Sequence, residues 1–199
     1  MALFLLLAQA TGAAERPVLV LGDSLSAAYR IAAESGWVAL LAQRLQQAQP
    51  PRAVINASIS GETSAGGLQR LPALLAQHKP GLVIVELGAN DGLRGLPLEQ
   101  IQTNLQRILS ACRDAGANVL LLGIELPVNY GPQYRGGLRQ MYRDAAREFN
   151  VPLVPFLLEG VADDATLMQE DGLHPLAAGE SRVLDNVWPS LQTALGKSQ

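Results

Sequence analysis

Ser24 follows directly on an apolar run in "VLVLGDSLSAAY", and His174 stands in "DGLHP" three residues after Asp171. A serine hydroxyl attacks a carbonyl only when a base takes its proton, and histidine is the usual base. A carboxylate on the other ring nitrogen fixes the tautomer and stabilises the imidazolium that forms. Gly172 supplies the turn that folds Asp171 back towards His174, and Pro175 restricts His174 to extended backbone conformations. The same residues have plainer readings. Asp23 and Ser24 suit a helix N-terminus, and D-x-x-H alone describes many turns with an exposed histidine.

The second histidine, His78, sits in "AQHKPGLVIVEL" just before an apolar run. A strand over 82–87 puts it roughly 20 Å from the end where Ser24 lies, and it reads as an exposed residue closing a helix C-terminus. His174 is then the base available to Ser24. A tetrahedral intermediate also needs donors aimed at its oxyanion. The candidates are the Ser24 N–H at a helix start, the Gly61 N–H where no side chain blocks close approach, and the Asn90 side-chain amide. Gly61 also reads as a simple turn, and Asn90-Asp91-Gly92 are turn residues.

Other chemistries lack their motifs. There is no G-x-x-x-x-G-K-[ST] loop, no G-x-G-x-x-G after the first strand and no H-x-x-x-H pair. The G-x-S-x-G nucleophile elbow is absent too.

The elements that must position these residues alternate. Short apolar runs over 18–21, 53–57, 82–87, 118–122 and 151–154 fit parallel strands buried on both faces. Helical patterns lie between them; the clearest is "PLEQIQTNLQRILSACRDAG", with a proline start and Gly116 as its stop. Pro72 interrupts another. Five strands with right-handed helical crossovers imply an α/β protein, a three-layer α/β/α sandwich. Working groups in such sheets lie at the strands' carboxyl ends. There fall "GDSLS", "SISGETSAGG", "GANDGLRG", "GIELPVNYGPQY" and "DGLHPLAAGE". Leu93, Leu126, Pro127 and Val128, near two of those ends, suit either an apolar channel or ordinary packing.

The 199 residues suit one domain, and 48% hydrophobic against 17% charged residues mark a globular chain. A formal net charge of −3 without blocks of like charge offers neither a nucleic-acid footprint nor a stable membrane anchor. Residues 1–14 read as a cleavable signal peptide, with a short apolar core and the small residues Gly12-Ala13-Ala14, leaving residues 15–199 as the single domain. No Lys or Arg precedes that core. The location expected is periplasmic or secreted, and cytoplasmic if the N-terminus is mis-assigned. The lone Cys112 excludes an internal disulfide and falls on an apolar helix face with Ile101, Leu105 and Ile108.

Together, "GDSLS", "ASISGETSAGG", "LGANDGL" and "DGLHP" closely resemble the four blocks of the SGNH hydrolase superfamily, the GDSL esterases, over about residues 17–190. "GANDGLRGLP" and "GIELPVNYGPQY" look further like its bacterial periplasmic branch, which combines thioesterase, arylesterase and lysophospholipase activities. The resemblance implies a flavodoxin-like five-stranded parallel sheet ordered 2-1-3-4-5. It implies Ser24, Asp171 and His174 as the triad, with Ser24, Gly61 and Asn90 as oxyanion donors. It also implies an acyl groove lined by Leu93, Ile124 and Pro127, with residues 92–96 as a mobile loop above it. The expectation is a monomeric serine hydrolase that takes small-molecule acyl esters or thioesters and needs no cofactor or metal. Two alternatives stand beside it. A carbohydrate O-deacetylase of the same fold would want aromatic platforms, against 5% aromatics here, and a catalytically inactive binding protein would show a damaged triad.

Overall fold

The computed structural model describes residues 15–196, so the signal peptide expected over 1–14 lies outside the described residues. Five strands form one parallel sheet in the order β2-β1-β3-β4-β5: β1 Val18–Gly22, β2 Val54–Asn56, β3 Leu82–Glu86, β4 Asn118–Leu122 and β5 Leu153–Val154. The register runs Val18 beside Val54 and Leu82, then Leu82 beside Asn118, and Leu121 beside Leu153. This is the order and the strand set expected. The two edge strands are shorter than their apolar runs, because an edge strand has a neighbour on one side only and its ends leave the ladder early.

Strand residues point alternately to opposite faces, and that alternation divides the core in two. Leu19, Leu21, Val83, Val85, Val119 and Leu121 face helices α2 (Ser64–His78), α4 (Leu98–Asp114) and α5 (Pro132–Phe149). Val18, Val20, Leu82, Ile84, Leu120 and Leu122 face α1 (Trp37–Gln46) and α6 (Glu180–Gly196). A short helix, α3 (Ala89–Leu93), follows β3 directly. Each fully buried aliphatic side chain contributes about 1.5–3 kcal/mol relative to exposure, which explains why β1 and β3 are apolar on both faces. Glu86 is the exception, a buried acid that ends β3.

Cys112 is buried in the first of these cores, where burial pushes its thiol up to about 12. Pro72 and Pro189 are accommodated inside α2 and α6. His78 ends α2 at the amino rim of the sheet and is half-buried, where the sequence suggested exposure. No helix among the described residues is long and apolar enough to cross a membrane.

Candidate active site

Ser24 lies just past the carboxyl end of β1, yet no helix begins there. Residues 24–30 run as successive turns, and the first α-helix starts at Trp37. The Asp23 carbonyl accepts from the Ser26 and Ala27 N–H groups, opening a helical turn. Neighbouring carbonyls are then captured by side chains: Asn56 Nδ2 donates to Ser26 at 2.8 Å and Trp37 Nε1 to Leu25 at 3.2 Å. Ala28 and Arg30 both adopt φ 56°, which ends any helical run. The expected helix start at Ser24 is therefore replaced by a pinned loop.

That loop meets the segment carrying His174. His174 Nε2 lies 2.8 Å from Ser24 Oγ, and His174 Nδ1 lies 2.8 Å from Asp171 Oδ2. Asp171 Oδ1 also accepts from the Leu173 and His174 N–H groups at 2.9 and 3.1 Å. Partial burial alone would raise the Asp171 carboxyl, but these N–H donors and the imidazole hold it below its ordinary value. Gly172, at φ 64°, makes the turn that closes this contact. The Tyr29 ring packs against the imidazole.

Two backbone N–H groups at this rim, those of Ser24 and Gly61, donate to no protein acceptor among the described residues. Gly61 sits at φ 81°, which favours glycine, and its carbonyl accepts from Arg94 Nη2 at 3.4 Å. Asn90 departs from the simple expectation of an idle donor. Its Nδ2 donates to Asp23 Oδ2 at 2.9 Å and to the Glu62 carbonyl at 3.0 Å, so both amide hydrogens are engaged. A carboxylate is a stronger acceptor than water, and Asp23 draws the amide to itself. The contacts nevertheless bring the Ser24, Gly61 and Asn90 loops together.

Beneath Ser24 lie two buried carboxyls. Asp23 and Glu86 are both fully inaccessible, and burial is the largest influence on each. It raises Asp23 to about 6 against the pull of the Leu25 N–H, Glu86, His174 and Asn90. Glu86 is pushed well above the carboxylate range, with Asp23 reinforcing the effect of burial. A Cβ at Gly22 would stand 2.8 Å from Ser26 Cβ and 2.9 Å from Glu86 Oε2, so only glycine fits in front of this pair.

An open groove leads away from Ser24 and His174. Leu93, Ile124, Leu126 and Pro127 line it together with Phe156 and Leu158. Val128 does not: it is 78% exposed and borders a wider neighbouring groove that shares Phe156 and Leu158. Its place in the short turn Val128–Tyr130 swings it outward. Of the residues at 92–96, expected as a mobile loop, two belong to α3, and the segment is tied down. Tyr130 donates to the Leu93 carbonyl at 2.8 Å and Tyr134 to that of Leu96 at 2.5 Å.

Sequence reasoning passed over Tyr29, Glu86, Asp91, Phe156 and Leu158. Only the last two carried a usable signal, an apolar "PFLLEG" at the same rim as the other loops. Asp91, read as a turn residue, is fully buried and accepts from the Ser64 N–H at 2.8 Å and the Ser64 hydroxyl at 2.6 Å.

Residues 20–182 match the model of the GDSL-like lipase/acylhydrolase family. The chain is 52% identical over 183 residues to Esterase TesA of Pseudomonas aeruginosa, covering 92% of this chain and 91% of that one. It is 46% identical over 190 residues to Thioesterase 1/protease 1/lysophospholipase L1 of Escherichia coli K12, covering 96% and 90%. The crystal structure of the psychrotrophic esterase EstA from Pseudoalteromonas sp., inhibited by monoethylphosphonate, superposes with a TM-score of 0.87 at 41% identity, covering 92% of this chain and all of that one (100%). With its fold, its four motif blocks and these relatives in agreement, the chain belongs to the GDSL-like lipase/acylhydrolase family and is a hydrolase.

Proposed function

We propose that the protein hydrolyses carboxylic esters and thioesters of medium-to-long acyl chains through an acyl-enzyme on Ser24. The observation that carries this reading is the unbroken chain Asp171–His174–Ser24, with 2.8 Å at both contacts, opening into an apolar groove. His174 Nε2 takes the Ser24 proton as Oγ bonds to the substrate carbonyl carbon. Asp171 keeps the Nδ1 proton in place and stabilises the imidazolium. The oxyanion receives the free N–H groups of Ser24 and Gly61. Asn90 joins them by giving up one of its two present acceptors. His174 then protonates the leaving alcohol or thiol, and water attacks the acyl-enzyme by the same route in reverse.

The groove supports this substrate class. Its apolar lining supports an alkyl chain and offers little to a sugar, so the reading favours acyl lipids and aryl esters over acetylated carbohydrate. With residues 1–14 as a cleaved leader, the enzyme works in the periplasm or outside the cell. Lysophospholipids and other exogenous esters then outrank acyl-CoA, whose pool is cytoplasmic.

Matched octanoyl substrates test this: a p-nitrophenyl ester, a CoA thioester and a lysophospholipid, each with wild type and Ser24→Ala. Turnover on at least one substrate that disappears in the variant supports the proposal, and the ranking names the preferred class. Retained turnover in Ser24→Ala, or none in the folded wild type, refutes it.

A further inference from the structure

The mechanism above makes no use of Glu86, although this acid ends a strand whose other residues are Leu, Val, Ile and Val. Its side chain lies inside the loop that carries Ser24. Oε2 accepts from the Asp23 N–H at 3.1 Å and from the Ser26 hydroxyl at 2.9 Å, so Glu86 grips the chain on both sides of Ser24. The Glu86 and Asp23 carboxyls are also close enough to act on each other's ionisation. Oε1 accepts from no N–H or hydroxyl among the described residues and is buried.

Two neighbouring carboxyls buried away from water retain a proton, because both cannot ionise there. The ionisable groups around the pair supply no fixed positive charge. They are His174 on the Asp23 side, and Tyr142 of α5, whose hydroxyl also feels Asp91. Both Asp23 oxygens already accept, Oδ1 from the Leu25 N–H and Oδ2 from Asn90 Nδ2, whereas Glu86 Oε1 accepts from no donor among the described residues, so Glu86 is the proton's holder. Its Oε1 is the oxygen left to carry that proton. Asp23 in turn accepts from Asn90 Nδ2 at 2.9 Å.

We propose that Glu86 is a positioning residue for the hydrolysis: its protonated carboxyl holds both flanks of Ser24 and, through Asp23, sets the Asn90 amide beside the oxyanion site. This rests on the serine-hydrolase reading of Ser24. A neutral carboxyl is suited to the task because one oxygen accepts twice while the other carries the proton. Glutamine reproduces that pattern with its carbonyl and amide, whereas leucine reproduces only the volume.

The test compares wild type, Glu86→Gln, Glu86→Leu and Ser24→Ala on p-nitrophenyl octanoate. Glu86→Gln should keep kcat within about ten-fold of wild type. Glu86→Leu should lose about 100-fold in kcat, a loss like that of an oxyanion donor, with KM within a few-fold and near-ultraviolet circular dichroism unchanged. Infrared spectra at neutral pH should show a protonated buried carboxyl in wild type that is missing from Glu86→Gln. A folded Glu86→Leu protein with wild-type kcat overturns the proposal, as does the absence of that band in wild type. If Glu86→Leu does not fold, Glu86→Gln and the infrared band decide. A folded glutamine variant as weak as about one hundredth of wild type refutes the neutral-carboxyl role. Ser24→Ala reports separately on the parent reading: its inactivity sustains the serine mechanism whatever happens at Glu86.

Discussion

The Tyr29 ring lies against the His174 imidazole, with centroids 4.4 Å apart and planes tilted by 37°. Gln169 couples the two segments: its Nε2 donates to the Tyr29 and Pro175 carbonyls, each at 2.9 Å, and its N–H donates to the His174 carbonyl at 2.8 Å. A ring packed on one face of an imidazole limits its rotation, and small misplacements of a reacting group are costly. Tyr29→Ala is expected to lower kcat on the order of 10- to 100-fold. Tyr29→Phe, which keeps the ring, should lose much less. Steady-state kinetics on an octanoyl ester separate the two, and equal losses would show that the ring is not what matters.

The oxyanion assignment predicts a different pattern. Asn90→Ala should cost on the order of 100-fold or more in kcat, as measured for other oxyanion-hole donors. KM should stay nearly constant, since the interaction strengthens as negative charge develops. An Asn90→Ala enzyme within a few-fold of wild type would remove Asn90 from the set of main donors.

Asp91 bridges α3 to the first turn of α2 through Ser64, whose hydroxyl also accepts from Asn104 Nδ2 at 2.9 Å. It thereby joins the segment after Gly61 to the segment carrying Asn90. Asp91→Ala strands the buried Ser64 N–H and hydroxyl, each a loss of about 1–3 kcal/mol. Urea unfolding should report a destabilisation of about 3 kcal/mol, with a fall in kcat that exceeds any rise in KM. Unchanged stability would mean that water replaces the carboxylate without cost.

Glu180 links stability to pH. It is nearly inaccessible and accepts from the Trp37 N–H at 2.8 Å, and burial raises its carboxyl from 4.5 to about 7 despite that bond. The folded state therefore binds the proton more tightly than the unfolded chain, so stability falls as pH rises between these two values. At about 1.4 kcal/mol per unit the full effect is about 3 kcal/mol, complete above pH 7. Glu180→Gln retains a carbonyl acceptor and should be more stable than wild type at high pH, with the gap closing towards pH 4.5. Denaturant titrations at the two ends measure it, and parallel pH profiles would contradict the assignment.

Phe156 and Leu158 border both the groove at Ser24 and its wider neighbour. Removing the ring in Phe156→Ala should join the two spaces and move the preferred ester towards longer acyl chains. Rates across C2 to C12 p-nitrophenyl esters give the comparison. A flat wild-type profile would argue against an acyl groove altogether.

Local sequence determined the architecture. Apolar runs of strand length separated by 3.6-period stripes have one economical arrangement, a parallel sheet covered on both faces, because each run must bury both of its sides. The four motif blocks were legible for a related reason. In a parallel α/β sheet every loop after a strand falls on the same rim, so Ser24, Gly61, Asn90 and the Asp171–His174 segment had to share it. Spacing alone also brought Asp171 to His174, since a three-residue turn through Gly172 is a local event. Contacts between segments distant in sequence were decided only by the tertiary structure. Glu86 looked like the end of a strand until β1 and β3 aligned and placed it under Ser24, Gly22 beside Glu86 in register. Tyr29 gained its place from Gln169, and the helix expected at Ser24 was undone by Asn56 and Trp37, which capture its carbonyls. A buried polar group takes whichever partner the fold brings near, and no pattern within its own segment names that partner.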